Sequence, residues 1–203
     1  MQLILCDHNA DALRAWRSQF QKRPEVEIRD EDILETQADA CLVPGNSFGF
    51  LDSGVELRVS SSYGWEVQDE LRDHIAREYD GELLVGQAVV LRKPALPKAL
   101  VYAPVWRTPR RLEGSANVFL AVRAGLLALT RDAGSPPIES VAVPAMGLEG
   151  GELNPFTSAR QLRYAYEMVI GQRGPGGKNL SQQIRRERKM TSIPRLDEAD
   201  PSS

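Results

Sequence analysis

The chain has 203 residues, of which 42% are hydrophobic and 26% charged, with a formal net charge of −3. That length and balance favour one soluble globular domain with a real core and room for a tail. The slight acidic excess argues against a general nucleic-acid surface, which carries a basic surplus.

Apolar residues 3–6 read as a first buried strand, and a helix follows over about 10–21 with Leu13, Trp16 and Phe20 on one stripe. Pro24 ends it, and Val26-Glu27-Ile28 alternates as a strand does. An acidic turn, Asp30-Glu31-Asp32-Ile33-Leu34, leads to a second buried strand at 40–43, which breaks at Pro44-Gly45. Asp52 and Ser53 are capping-type residues, so a helical region is predicted from about 53 to 79, broken near Ser60-Ser61-Ser62-Tyr63-Gly64 and stopped by Gly81.

Two further strands are predicted, one at 85–91 interrupted by Gly86-Gln87 and one at 99–105, with Pro94 and Pro97 marking the connection between them. Residues 115–133 form a helix with Val118, Val122, Leu126 and Leu129 on one face, and Gly134-Ser135-Pro136-Pro137 closes it. A final strand at 138–145 precedes a last helix at 157–170 carrying Leu162, Ala165, Tyr166 and Val169. Beyond Gly171 the composition turns polar, with a Gly174-Pro175-Gly176-Gly177 spacer. The expected organisation is a domain over 1–172 and a flexible polar tail over 173–203. Alternating strands and helices predict an α/β fold: a three-layer α/β/α sandwich over a mixed central sheet.

Cys6 and Cys41 both lie in apolar runs, which suits reduced, buried thiols in a cytoplasmic protein better than a disulfide framework. The first residues lack the basic leader of a signal peptide, and no apolar run approaches the roughly 18 residues of a membrane span. His8 and His74 are the two histidines, and with no Cys-x-x-Cys or His-x-x-x-His spacing no metal is expected. Nothing in the sequence calls for a cofactor, and a monomer is expected.

Two glycine-containing loops carry the functional signal. One runs from Pro44 through Asn46, Ser47, Phe48, Gly49 and Gly54 to Val55 and Glu56; the other runs from Pro144 to Gly151. Each follows an apolar strand and precedes a helix, where free backbone N–H groups point outward and favour an anion. Neither ends in Gly-Lys-Ser/Thr and neither reads Gly-x-Gly-x-x-Gly, so nucleotide hydrolysis by a Walker loop and ordinary dehydrogenase chemistry are both disfavoured. In open α/β sheets such loops meet over the strand C-termini.

With those loops in place, the chain resembles the macro domain family, which binds ADP-ribose. Glu31-Asp32-Ile33-Leu34, followed by Asp39-Ala40-Cys41-Leu42-Val43-Pro44-Gly45-Asn46, is similar to the family's Gly-Asp-Ile-Thr, four residues, then Asp-Ala-Ile-Val-Asn-Ala-Ala-Asn. Gly54-Val55-Glu56 resembles the family's Gly-Val-Asp. Val101-Tyr102-Ala103-Pro104-Val105-Trp106 is similar to its His-Thr-Val-Gly-Pro strand end, and 141–151 stands where it has Phe-Pro-Ala-Ile-Ser-Thr-Gly. The likeness covers most of the first 172 residues.

The resemblance implies that Asp32 accepts from the adenine amino group beside Ile33, and that Asn46 holds the distal ribose hydroxyls. It implies that the amides of 47–54 and 146–151 cradle the diphosphate, so Ser47, Phe48, Gly49, Gly54, Val55, Ala145, Met146, Gly147, Leu148, Gly150 and Gly151 become candidate contacts. Phe48 and Phe50 are candidates to pack over the distal ribose. Asn46, Glu56 and Glu149 are the candidate catalytic residues. Glu56 stands where hydrolytic members carry an acid that activates water, though it is one methylene longer than the usual Asp. A first-turn acid favoured by the helix dipole is the competing explanation for it. Glu149 replaces part of a Ser-Thr-Gly loop and corresponds to the essential acid of some members that remove ADP-ribose from glutamate. Three functions stay open: removal of ADP-ribose from modified macromolecules or small derivatives, non-catalytic reading of ADP-ribose, and a module that keeps the fold without the ligand.

Overall fold

The computed structural model describes residues 1–93, 96, 98–171 and 179–193. The chain runs β1 (Gln2–Cys6), α1 (Ala10–Phe20), β2 (Val26–Arg29), β3 (Ala40–Asn46), α2 (Gly54–Tyr63), α3 (Glu66–Glu78), β4 (Val89–Leu91), β5 (Ala99–Trp106), α4 (Asn117–Arg131), β6 (Ser140–Val143), α5 (Pro155–Val169) and α6 (Leu180–Thr191). Six strands make one sheet in the order β2-β1-β6-β3-β5-β4. Every neighbouring pair is parallel except β4 against β5, so the sheet is mixed as expected.

Side-chain alternation along the strands builds the three layers. Leu3, Leu5, Leu42, Val101, Val141 and Val143 face the stripe residues of α1, α4 and α5, including Trp16, Val122 and Leu162. The intervening Ile4, Cys6, Cys41, Val43, Leu100 and Ala142 face Val59 of α2 and Val67, Leu71 and Ile75 of α3. The expected break in the long helical region falls at Gly64, whose φ of 93° is open to glycine and strained for other residues.

Four expectations need correction. β3 does not break at Pro44-Gly45 but pairs with β5 as far as Asn46. β6 accompanies it only at Ala40 and Cys41, so Pro44 lies where β3 has a single partner and its missing N–H leaves no second ladder broken. The strand predicted over 85–91 shrinks to β4, with only an isolated bridge between Val85 and Gln87 around Gly86. β6 is likewise shorter than 138–145.

The fourth concerns the polar tail. Residues 180–191, expected to be flexible, form α6, which docks by hydrogen bonds rather than an apolar stripe. Arg160 of α5, 4% exposed, donates to the carbonyls of Lys189 (2.7 Å) and Ser192 (3.2 Å), and Thr157 donates to Ser192 (3.2 Å). Met190 is the buried apolar contact. The Gly174-Pro175-Gly176-Gly177 spacer and the connection at Pro94 and Pro97 lie outside the described residues.

Candidate functional site

The parallel strands β2, β1, β6, β3 and β5 deliver their C-terminal loops to one edge of the sheet. The crossovers from β1 and β3 leave on opposite faces, through α1 and through α2–α3, and β6 lies between these two strands. Such a reversal opens a crevice over the strand ends. The sheet order sets the sequence of groups along it: the turn after β2, the loop after β6, the loop after β3, and the loop after β5.

The turn after β2 carries Asp32 and Ile33. One carboxylate oxygen of Asp32 accepts from Leu34 N–H at 2.8 Å, and the other pairs with the guanidinium of Arg58 on α2 at 2.9 Å. Ile33 has its side chain buried, and its N–H meets no acceptor among the described residues. An acceptor beside an open donor is the complement of an aminopurine edge. Lys98, only 8% exposed at the start of β5, holds this turn from inside the fold. Its ammonium donates to the carbonyls of Thr36 (2.6 Å), Leu34 (3.1 Å) and Ile33 (3.4 Å).

Asn46 ends β3 and organises the loop that follows. Its Oδ1 accepts from the N–H of Phe48 (3.0 Å) and Phe50 (3.3 Å), while Nδ2 donates to the Phe50 carbonyl (2.8 Å) and lies 3.4 Å from Glu56 Oε1. The N–H of Ser47 donates to Arg107, that of Gly49 to Asn46, and that of Leu51 to Gln68. Of the amides of 47–54 expected to cradle a diphosphate, those of 47–51 are consumed within the fold. The N–H groups of Asp52, Ser53, Gly54, Val55 and Glu56, at the start of α2, find no acceptor among the described residues. These are the orphan donors of a helix N-terminus.

The loop after β6 shows the same selection. Ala145 N–H is taken by Asp7 Oδ2 at 3.1 Å, and Gly151 N–H by the Glu149 carbonyl at 2.7 Å. The N–H groups of Met146, Gly147, Leu148, Glu149 and Gly150 remain without an acceptor among the described residues. Ser158 of α5 anchors the loop by donating to the Met146 carbonyl at 2.8 Å. Gly150 sits against the ring of Trp106 at the end of β5.

Of the three candidate catalytic residues, the structure joins two. Asn46 and Glu56 meet in a buried cluster with Tyr102, and Gly45 lets them close: a Cβ there would stand 2.2 Å from Tyr102 Oη and 2.6 Å from Glu56 Oε1. Glu56 is 6% exposed, and burial, reinforced by the charge of Asp52, pushes its carboxyl up to about 8. It is therefore mostly protonated at neutral pH. Glu149 is exposed, and no contact links its side chain to Asn46 or Glu56 among the described residues. Phe48 and Phe50 are each covered by an arginine, Arg107 at 5.0 Å and Arg72 at 4.3 Å from the ring centre. Ser47 is buried, with a hydroxyl that has no partner among the described residues.

Sequence reading missed Asp7, Arg58, Lys98 and Tyr102 as parts of this site. Tyr102 lies inside an apolar strand, where periodicity marks it as core and gives no sign of its hydroxyl's role. Lys98 left one faint signal, a lysine immediately before a long apolar strand.

No family model matches the chain. It is 29% identical over 141 residues, 69% of either chain, to an uncharacterized protein of Aeropyrum pernix. Among solved structures it is similar to the macrodomain of Mycobacterium tuberculosis DarG, with a TM-score of 0.57 and 21% identity over 70% of this chain and 89% of that one. It is also similar to a variant Oceanobacillus iheyensis macrodomain with ADPR, with a TM-score of 0.56 and 16% identity over 72% and 78%. The chain has the macrodomain fold.

Proposed function

We propose that this chain binds ADP-ribose along the C-terminal edge of its sheet and hydrolyses ADP-ribosyl linkages on modified proteins or small derivatives. The observation that carries the binding is the pair of open amide clusters, 52–56 and 146–150, on the loops after the adjacent strands β3 and β6. Two rows of unpaired donors at one crevice suit a diphosphate. Asp32 and the Ile33 N–H stand at one end of that crevice for the base, and Asn46 and Glu56 stand nearer the other for the distal ribose. A structural neighbour that holds ADPR supports the same ligand class.

Hydrolysis breaks the bond between the anomeric carbon of the distal ribose and its substituent. Water supplies the new hydroxyl and the leaving group takes up a proton. Glu56 in its ionised form would accept the proton from that water, and Glu149 is the second candidate for the same role. A specific observation also favours a second reading, a reader that binds without turnover: Glu56 is mostly neutral below about 8, and the Asn46 amide is occupied by its own loop.

Calorimetry with ADP-ribose tests the binding, and absence of heat at millimolar ligand would sink it. Asp32→Ala should weaken affinity by about 1–3 kcal/mol, the worth of a hydrogen bond to a charged group. Release of ADP-ribose from a modified protein separates hydrolase from reader; no release by wild type, with binding intact, leaves the reader. The chain is proposed to act as a monomer in the cytoplasm. No helix among the described residues is long and apolar enough to cross a membrane.

A further inference from the structure

The edge that would take a diphosphate is rich in acids. Asp7, Asp32, Asp52 and Glu149 all stand on its loops or helix starts, and backbone amides alone would face a dianion among them. Arg58 is the cation bound to one of these acids, with its guanidinium 2.9 Å from Asp32 and its side chain 45% exposed. No other group among the described residues accepts from it.

The position of Arg58 on α2 matters. Helical side chains lean toward the helix N-terminus, so the residue at i lies over i−4. For Arg58 that residue is Gly54, the first residue of α2. Arg58 thus stands one turn beyond the unpaired amides of 52–56, and its head reaches the acid of the base turn. A guanidinium carries five donors in a fixed fork. One face can remain on Asp32 while the other meets a phosphate oxygen.

Resting on the ADP-ribose reading above, we propose that Arg58 binds the phosphate adjoining the adenosine and bridges it to Asp32. It supplies the positive charge that the amide clusters lack, and it couples recognition of the base to recognition of the phosphate. The ligand class it selects is an adenosine 5′-phosphate rather than a nucleoside.

Calorimetry on the full chain with ADP-ribose, AMP and adenosine tests this on wild type, Arg58→Ala and Arg58→Lys. Arg58→Ala should weaken ADP-ribose and AMP about tenfold or more, as loss of a charge-assisted contact implies. Adenosine affinity should stay within about twofold of wild type, and the salt dependence of ADP-ribose affinity should become shallower. Arg58→Lys should recover only part of the loss, because a point charge lacks the fork. Equal losses for AMP and adenosine would overturn the proposal, since Arg58 would then act only by orienting Asp32. An unchanged ADP-ribose affinity would overturn it as well. If wild type binds AMP in an Arg58-dependent way but not ADP-ribose, the functional reading falls and the role of Arg58 stands. If it binds neither, both fall.

Discussion

The phenol of Tyr102 on β5 closes both polar ends of Asn46 on β3. It accepts from the Asn46 N–H at 2.9 Å and donates to the Asn46 carbonyl at 2.8 Å. The β3–β5 register shifts between Gly45 and Asn46, so a side chain takes over there from the regular ladder. The strand can therefore deliver Asn46 to the crevice with its buried backbone satisfied.

Tyr102→Phe removes that hydroxyl, leaves the buried Asn46 N–H unpaired and leaves its carbonyl only the long bond from the Gly49 N–H. The variant should lose about 1–3 kcal/mol of stability, read as a lower midpoint in urea. An unchanged midpoint would show that water or a strand bond replaces the phenol.

Gly45→Ala places a methyl where Tyr102 Oη and Glu56 Oε1 already stand, at 2.2 Å and 2.6 Å. The expected cost is about 1–3 kcal/mol, typical of overpacking in a core. Calorimetric melting should show it. Pairing the change with Tyr102→Phe should relieve part of the loss, because the nearest of three clashing atoms is gone while the ring carbon that bore it and Glu56 Oε1 remain.

Glu56 gives the chain a pH dependence whose sign follows from burial. Its carboxyl is raised from an ordinary 4.5 to about 8 in the fold. Between those values the folded chain holds a proton that the unfolded chain has released, so stability falls as pH rises through that window. Glu56→Gln cannot ionise, and its melting temperature should decline less than that of wild type between about pH 5 and pH 9. Parallel profiles would refute a buried, neutral Glu56. If Glu56 is the base for hydrolysis, wild-type turnover should rise toward about pH 8, and the Gln variant should lack that rise.

Lys98→Met deletes the donor shared by the carbonyls of Ile33, Leu34 and Thr36. Destabilisation of about 2–3 kcal/mol is expected from the unsatisfied acceptors. Amide hydrogen exchange should also speed up locally at 33–36. Protection that is unchanged there would show that the turn holds without the lysine.

Hydrophobic periodicity was enough to find the elements around the site. The stripe of Leu13, Trp16 and Phe20, the run from Ala40 to Val43 and the stripe from Val118 to Leu129 follow from local burial patterns that any sequence displays. The strand–helix alternation carried the three-layer fold, and the two glycine-containing loops marked the edge where a ligand is proposed. The resemblance supplied Asp32, Asn46, Glu56 and Glu149 as candidates, and the structure brings Asn46 and Glu56 into one buried cluster. It was silent on α6, because a helix held by Arg160 at its last carbonyls needs no apolar stripe of its own.

Patterning between near neighbours is thus sufficient for the layers, the order of the loops and the residue types available at the crevice. Which donors stay open and which charge a group carries follow from the assembled fold. The amides of 47–51 are spent on Asn46, Arg107 and Gln68, whereas those of 52–56 are open. Glu56 is neutral because strands and loops distant in sequence exclude water from it. Arg58 meets Asp32 across 26 positions of chain because α2 folds back beside the turn after β2. Hydrogen-bond satisfaction and desolvation are properties of the assembled neighbourhood, and no local pattern encodes them.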